Sequence, residues 1–158
     1  MINFGKEHYV DTVIYAIDKI IRGLKAELRQ KVESLNLGIT SDQFFVLDTI
    51  CCYENIYQQK LSEIIMQDKS NTTRIIKTLE QKNLVTREYG NVNNRLVYFL
   101  KVTDEGKKII KENMPKIKQF ITDIFKNITD SEIEVLHTLS EKFQTDLLNM
   151  PDELRYST

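Results

Sequence analysis

The chain has 158 residues, of which 41% are hydrophobic and 28% charged, and its net charge is −1. This composition is typical of a single globular domain and excludes a disordered or collagen-like chain. Apolar runs such as Phe44 to Leu47 fall far short of the ~20 residues of a membrane span, and the sequence predicts a cytoplasmic protein.

The charges are unevenly distributed along the chain. The stretch from Tyr57 to Glu112 holds 11 basic and 7 acidic residues, a local excess of +4, while the remainder carries −5. A basic middle in a nearly neutral protein can bind a polyanion there and stay soluble elsewhere.

The first two predicted elements are helices. Apolar residues recur every three or four positions over residues 6–35, which predicts one long amphipathic helix. Its length of ~45 Å exceeds what one small domain needs and favours packing on a second subunit, although the helix could also lie across its own domain. Thr40 to Gln43 form a capping box that opens a second helix over Ser41–Cys52.

A helical pair and a hairpin follow. Lys60–Met66 is predicted as a short third helix, and Ser70 as the N-cap of a fourth that runs to about Lys82, with Asn83 as a left-handed stop. The apolar period then changes from 3.6 to 2. Two strands are predicted, at 84–88 and 95–102, joined by turn formers over 89–94.

Two further helices complete the chain. Thr103 is the predicted cap of a helix that continues to about Phe125, and Thr129 to Glu132 form a second capping box before a last helix. The predicted core holds five apolar residues from the central helices. They are Phe44, Leu47, Leu61, Ile75 and Leu79.

Helix, short helix, helix and hairpin is the order of a winged helix-turn-helix. The predicted fold is mainly α with a small two-stranded β-wing, a winged helix-turn-helix lobe attached to a helical dimerisation region. If Ile75 and Leu79 face the core, the fourth helix presents cations, hydroxyls and an amide on its other face, the residue types that contact phosphates and base edges. The alternative is an ordinary solvated face. The candidate DNA-binding residues are Ser70, Thr72, Thr73, Arg74, Lys77, Gln81, Arg87 and Arg95.

Four segments in this order resemble the MarR family of bacterial transcription regulators. They are Ile39–Leu47, Leu61–Ile64, Ser70–Arg87 and Val102–Gly106. The resemblance covers about residues 8–150 and implies a homodimer with two winged-helix lobes that binds a palindromic DNA site as a repressor. It implies a single domain over 1–150, in which about 6–35 and 104–150 dimerise and about 40–103 form the winged helix-turn-helix. A polar tail, 151–158, follows.

The wing departs from the family pattern. Where the family usually has Asp-x-Arg, this chain has Asn94 and Leu96, and the nearby arginine is Arg95. Arg95 remains the minor-groove candidate, because a narrow minor groove concentrates negative potential.

The resemblance also implies a small aromatic anion as effector, bound between the lobe and the dimerisation helices. The candidate residues of that cleft are Tyr15, Arg22, Phe45 and Tyr53. A disulfide between the adjacent Cys51 and Cys52 would link no distant segments of the chain, and we expect both residues to be buried and structural. The alternative is a thiol-based redox sensor.

The sequence gives little support to an enzyme. It has no Gly-rich phosphate loop, no recognisable nucleophile motif and no zinc spacing, so neither a cofactor nor a metal is expected. Two other functions remain open. They are a winged-helix module for protein interaction and an architectural DNA-binding module without ligand control.

Overall fold

The computed structural model describes residues 8, 13–92 and 94–151, with Arg95 described by its backbone alone. This part of the chain forms six helices and one two-stranded antiparallel sheet, which confirms the predicted fold class. The elements are α1 Val13–Ser34, α2 Ser41–Cys52, α3 Gln58–Ile64, α4 Lys69–Gln81, β1 Val85–Val92, β2 Arg95–Val102, α5 Asp104–Ile124 and α6 Asp130–Leu148. The chain divides into two compact units, 1–118 and 119–158.

Both predicted capping boxes are present. The Thr40 hydroxyl accepts a hydrogen bond from the Gln43 backbone N–H at 3.3 Å, and the Gln43 side chain accepts one from the Thr40 N–H at 3.1 Å. Thr129 and Glu132 make the same reciprocal pair at the start of α6. Helix α2 therefore has its predicted bounds, whereas the predicted start of the first helix lies outside the described residues.

The predicted cap of α4 is wrong. Asp68 is the N-cap residue, and its carboxylate accepts from the Asn71 N–H at 2.8 Å, while Ser70 lies exposed within the first turn. A carboxylate at this position satisfies an orphan N–H and also interacts favourably with the helix dipole. The predicted stop is confirmed, since Asn83 has a φ of 55° in the left-handed region.

The hairpin is longer than the sequence suggests. Strand β1 continues to Val92, which pairs with Arg95, so much of the predicted turn is strand. Gly90 explains part of this difference, because the Phe99 ring lies against its backbone, where a Cβ would come within 1.9 Å of a ring carbon. The absence of a side chain there serves the packing of an aromatic ring and does not mark a turn.

The core of the first unit lies where α2, α3 and α4 meet the base of the hairpin. All five predicted core residues are buried, and Val32 of α1, Leu100 of β2 and Ile117 of α5 join them. In helix α2 the last buried residue is Ile50. Cys51 and Cys52 are both exposed on its final turn, so the expectation that they are buried is wrong.

In the second unit, α6 has no buried residue. Its large apolar side chains are exposed and recur along the helix at Ile133, Leu136, Leu139 and Phe143. Among the described residues, no helix has the length and apolar character needed to cross a bilayer.

Candidate nucleic-acid interface

Helix α4 has a buried face and a polar exposed face. Ile75, Ile76 and Leu79 fix the buried face in the core. The exposed face carries the predicted residues Ser70, Thr73, Arg74, Lys77 and Gln81, together with Lys69, which the sequence analysis did not select. The spacing of Lys69 from Thr73 and Lys77, four and eight positions, is the signal that could have identified it.

Thr72 does not belong to this face. Its side chain is fully buried, and its hydroxyl donates to the Asp68 carbonyl at 2.9 Å. The prediction that Thr72 contacts DNA is therefore wrong. Thr72 lies on the same side of α4 as Ile75 and Ile76, and its hydroxyl is hydrogen-bonded to a carbonyl of the preceding turn.

Hydrogen bonds order part of the exposed face. The Gln58 side chain of α3 donates to the Thr73 hydroxyl at 2.7 Å, which joins the two helices of the helix-turn-helix at the surface. The Arg74 guanidinium donates to the Asn71 side-chain oxygen at 2.7 Å. That contact uses one of the five N–H donors of Arg74 and holds its side chain along α4.

The wing is anchored at its base. The Leu100 N–H donates to the Ile56 carbonyl at 2.8 Å, and Leu84 and Val85 are buried where the chain leaves α4. Toward the tip the side chains are exposed, including Tyr89 and Leu96.

The predicted wing cations have different surroundings. The Arg87 guanidinium forms a two-point ion pair with Glu80 of α4, at 2.6 and 3.0 Å, and lies 5.8 Å from the centre of the Tyr98 ring. The backbone of Arg95 pairs with Val92 at the hairpin end. A DNA contact by either residue remains a prediction.

A cleft of about 320 Å³ separates α3 and the start of α4 from the wing. Its walls include Gln58, Gln59, Lys69, Arg87 and Tyr98. The polar faces of α4 and the hairpin thus border a common depression within the first unit.

The predicted effector residues lie in different environments. Tyr53 lines a second cleft of about 500 Å³, whose other walls include Cys51, Lys101 and Lys107 but none of the other three candidates. Phe45 is half-buried and packs edge-on to Phe44.

Arg22 and Tyr15 lie on α1. Arg22 makes an ion pair with Asp18, and this hydrogen bond lowers the pKa of the Asp18 carboxyl. Tyr15 is half-buried. The effector role of these four residues remains a prediction.

The exposed cysteines differ in their surroundings. Partial burial of the Cys52 thiol and the nearby charge of Asp48 raise the pKa of Cys52. A raised pKa lowers the thiolate fraction at neutral pH and so weakens nucleophilicity. Cys51 lies beside it on the wall of the Tyr53 cleft.

Helices α2 to α4, followed by the β1–β2 hairpin, are a winged helix-turn-helix, and the comparisons with known proteins agree. Residues 39–97 match the model of the MarR family. The chain is 29% identical to the uncharacterized HTH-type transcriptional regulator YsmB of Bacillus subtilis, over 89% of this chain and 94% of that protein. It is 24% identical to the HTH-type transcriptional repressor MdtR of the same organism, over 83% and 85%.

A solved structure with the same fold is the S. aureus MepR–DNA complex. Its TM-score is 0.75 at 18% identity, and the match covers 89% of this chain and 99% of that one. The resemblance drawn from the sequence is confirmed: residues 39–97 match the MarR-family model, and the chain is similar over most of its length to HTH-type transcriptional regulators.

Proposed function

We propose that this protein is a transcriptional repressor that binds a palindromic site on double-stranded DNA as a homodimer. The observation that carries the proposal is the basic exposed face of α4 beside a wing. The 13 residues of α4 span ~20 Å, and a helix of this kind fits the major groove, which is ~12 Å wide.

The charges on α4 support nucleic acid over a protein partner. Its exposed face carries Lys69, Arg74 and Lys77, and its acid, Glu80, already pairs with Arg87. The large apolar residues of α4 are all buried, whereas a protein-binding face concentrates aromatic and apolar anchors.

Exposed apolar side chains support the homodimer. On α1, Val13, Ile14, Ile17, Ile20 and Ile21 are all more than 40% exposed. They recur at three- and four-residue spacing along one side of a 22-residue helix. A stripe of this size on a small protein indicates an interface, and a second copy supplies the same stripe by symmetry.

Ile17→Glu and Ile20→Glu test the homodimer. Either substitution places a charge in the proposed interface, and we expect monomers in sedimentation velocity where the wild type is dimeric. Lys19→Glu, an exposed charge reversal on the opposite side of the same helix, should leave the dimer intact. A wild-type monomer of 18.6 kDa at micromolar concentration contradicts the proposal.

DNA binding is tested by selecting a preferred site from random duplexes and measuring its affinity against salt. Dimer symmetry predicts an inverted repeat with half-site centres about 10 bp apart. Arg74→Ala should cost ~1–3 kcal/mol and relax base preference if it contacts a guanine edge, while Lys77→Ala should weaken all sequences alike and reduce the salt slope by about 1. Lys111→Ala, an exposed lysine on α5, is the matched control. Equal affinity for selected and random duplexes contradicts a specific regulator.

The repressor role is supported by the similarity to the transcriptional repressor MdtR. It is tested with a reporter gene placed behind the selected site. Expression should fall when the protein is supplied and recover with Arg74→Ala. Activation of the reporter contradicts repression.

The final part of the proposal is release by a small aromatic anion. Support comes from the Tyr53 cleft, whose volume of about 500 Å³ suits a compact aromatic acid. Its walls carry Lys101 and Lys107 as partners for a carboxylate, beside the acids Glu54 and Glu88. Salicylate-like acids should weaken operator binding, and the Cys51→Ser/Cys52→Ser double variant should respond equally. If peroxide releases the wild-type protein from DNA and the double variant abolishes that release, thiol sensing is supported instead. The peroxide test is needed because both cysteines are exposed.

A further inference from the structure

We propose that Arg87 and Glu80 are positioning residues that fix the wing relative to α4, and that Arg87 acts through this ion pair without contacting DNA. The inference rests on the proposed function, because wing position matters only if the wing and α4 engage one duplex together. It assigns a role to Glu80, an acid on an otherwise basic helix.

The ion pair has the geometry of a two-point clamp. Arg87 Nε lies 2.6 Å from Glu80 Oε1, and a terminal guanidinium nitrogen lies 3.0 Å from Oε2. Two parallel N–H···O bonds fix the relative orientation of both groups, which a single contact cannot do. Both side chains are about 70% shielded from solvent, with exposed fractions of 31% and 28%.

The Tyr98 ring also lies near the guanidinium. The Arg87 carbon Cζ lies 5.8 Å from the centre of the Tyr98 ring, within the range of a cation–π contact. Tyr98 is paired across the hairpin with Tyr89, at 4.7 Å between ring centres and 3.0 Å between hydroxyl oxygens. The clamp therefore joins α4 to both strands of the wing.

The Arg87–Glu80 ion pair lies where the buried base of the wing meets its exposed half. The buried anchors of the wing, Val85 and Leu100, lie at its base. In the tip half, the side chains that the structure describes, at 88–92, 94, 96 and 97, are exposed or half-buried. A hairpin held only at its base can swing about that base. Arg87 lies two residues beyond Val85 on the same face of β1 and pairs across the hairpin with Leu100, at the outer edge of this buried base. Its ion pair with Glu80 therefore restrains the exposed half where it leaves the base.

Satisfied charge is the reason to expect no phosphate contact. Glu80 neutralises Arg87 in place, and moving the guanidinium to DNA would leave the half-buried carboxylate unpaired beside a polyanion. Lys69 and Lys77, on the same side of α4, can contact phosphate without leaving a carboxylate unpaired, because the described residues show no carboxylate paired with either lysine.

Exchanging the two charges separates positioning from DNA contact. Arg87→Glu should lower operator affinity by about five- to tenfold, because it breaks the clamp and opposes two carboxylates. The swap Glu80→Arg/Arg87→Glu keeps the net charge and should restore affinity to within about threefold. Arg87→Gln should weaken binding without changing the salt slope, whereas Lys77→Ala should reduce that slope by about 1.

A DNA-free measurement keeps the clamp testable if no duplex binds. Amide hydrogen exchange over residues 88–97 should be faster in Arg87→Glu than in wild type and should return toward wild type in the swap. Failure of wild-type protein to bind any duplex refutes the proposed function, while the exchange result still tests the clamp. A salt slope reduced by about 1 in Arg87→Gln, or a swap that restores neither readout, overturns the positioning role.

Discussion

Replacing Gly106 by alanine tests whether the junction between the wing and α5 is packed as described. Gly106 lies in the first turn of α5, and its N–H donates to the Thr103 hydroxyl at 3.1 Å. An added Cβ would lie 2.6 Å from the Leu84 carbonyl oxygen and 2.7 Å from a Val102 methyl. The Leu84 oxygen cannot yield freely, because the Thr103 N–H is bonded to it at 3.0 Å.

The magnitude follows from two opposing effects. Alanine improves helix propensity by at most about 1 kcal/mol over glycine. Overpacking against two fixed neighbours costs ~1–3 kcal/mol, and the backbone oxygen places this site in the upper part of that range. We therefore expect Gly106→Ala to lower the free energy of unfolding by about 1–2 kcal/mol.

Urea denaturation followed by circular dichroism at one fixed protein concentration measures this difference, since an oligomer's stability depends on concentration. Gly23→Ala is the matched control, because a Cβ on Gly23 of α1 meets nothing within 4 Å. The control should gain ~0.4–1 kcal/mol. If Gly106→Ala is as stable as the wild type while Gly23→Ala behaves as expected, the packing argument is refuted.

Three further changes follow from the structure. Asp68→Ala should cost ~0.5–2 kcal/mol in urea denaturation, because it removes the acceptor for the Asn71 N–H. Gly90→Ala should displace the Phe99 ring, which a Cβ would approach to 1.9 Å, and speed amide exchange in the hairpin. Burial raises the pKa of Asp48 above 3.8, so the folded state holds that proton more tightly and stability rises as the pH falls through the window just above 3.8. Asp48→Asn should flatten that rise in a pH series of urea midpoints, and a variant with an unchanged pH series contradicts it.

The sequence predicted those features that short segments specify. The capping boxes at Thr40 and Thr129 bring together residues three apart, and the structure contains both. The left-handed turn at Asn83 likewise depends on one residue and its neighbours. The α4 cap failed for a local reason, because Asp68 and Ser70 are both good caps two positions apart and sequence alone did not rank them.

Burial at the edges of elements was harder to predict, because it depends on where a neighbouring element stops. Thr72 and Thr73 are chemically alike, yet one is fully buried and the other exposed. Cys51 and Cys52 continue the apolar run of α2, but the packing that buries that run ends at Ile50. Hydropathy indicates that a side chain can be buried, but it is buried only where another element of the fold packs against it.

The role of Arg87 shows the same dependence on distant neighbours. A basic residue at the start of a wing strand is an ordinary DNA-contact candidate when only the sequence is known. Glu80 lies seven positions away and on another element, beyond the spacing at which helical or strand periodicity brings two side chains together. The short connection from α4 to β1 folds the strand back beside the helix, and Tyr98 reaches the guanidinium from the opposite strand. A cation on a basic surface is therefore a candidate for phosphate binding only after its own carboxylate partners have been counted.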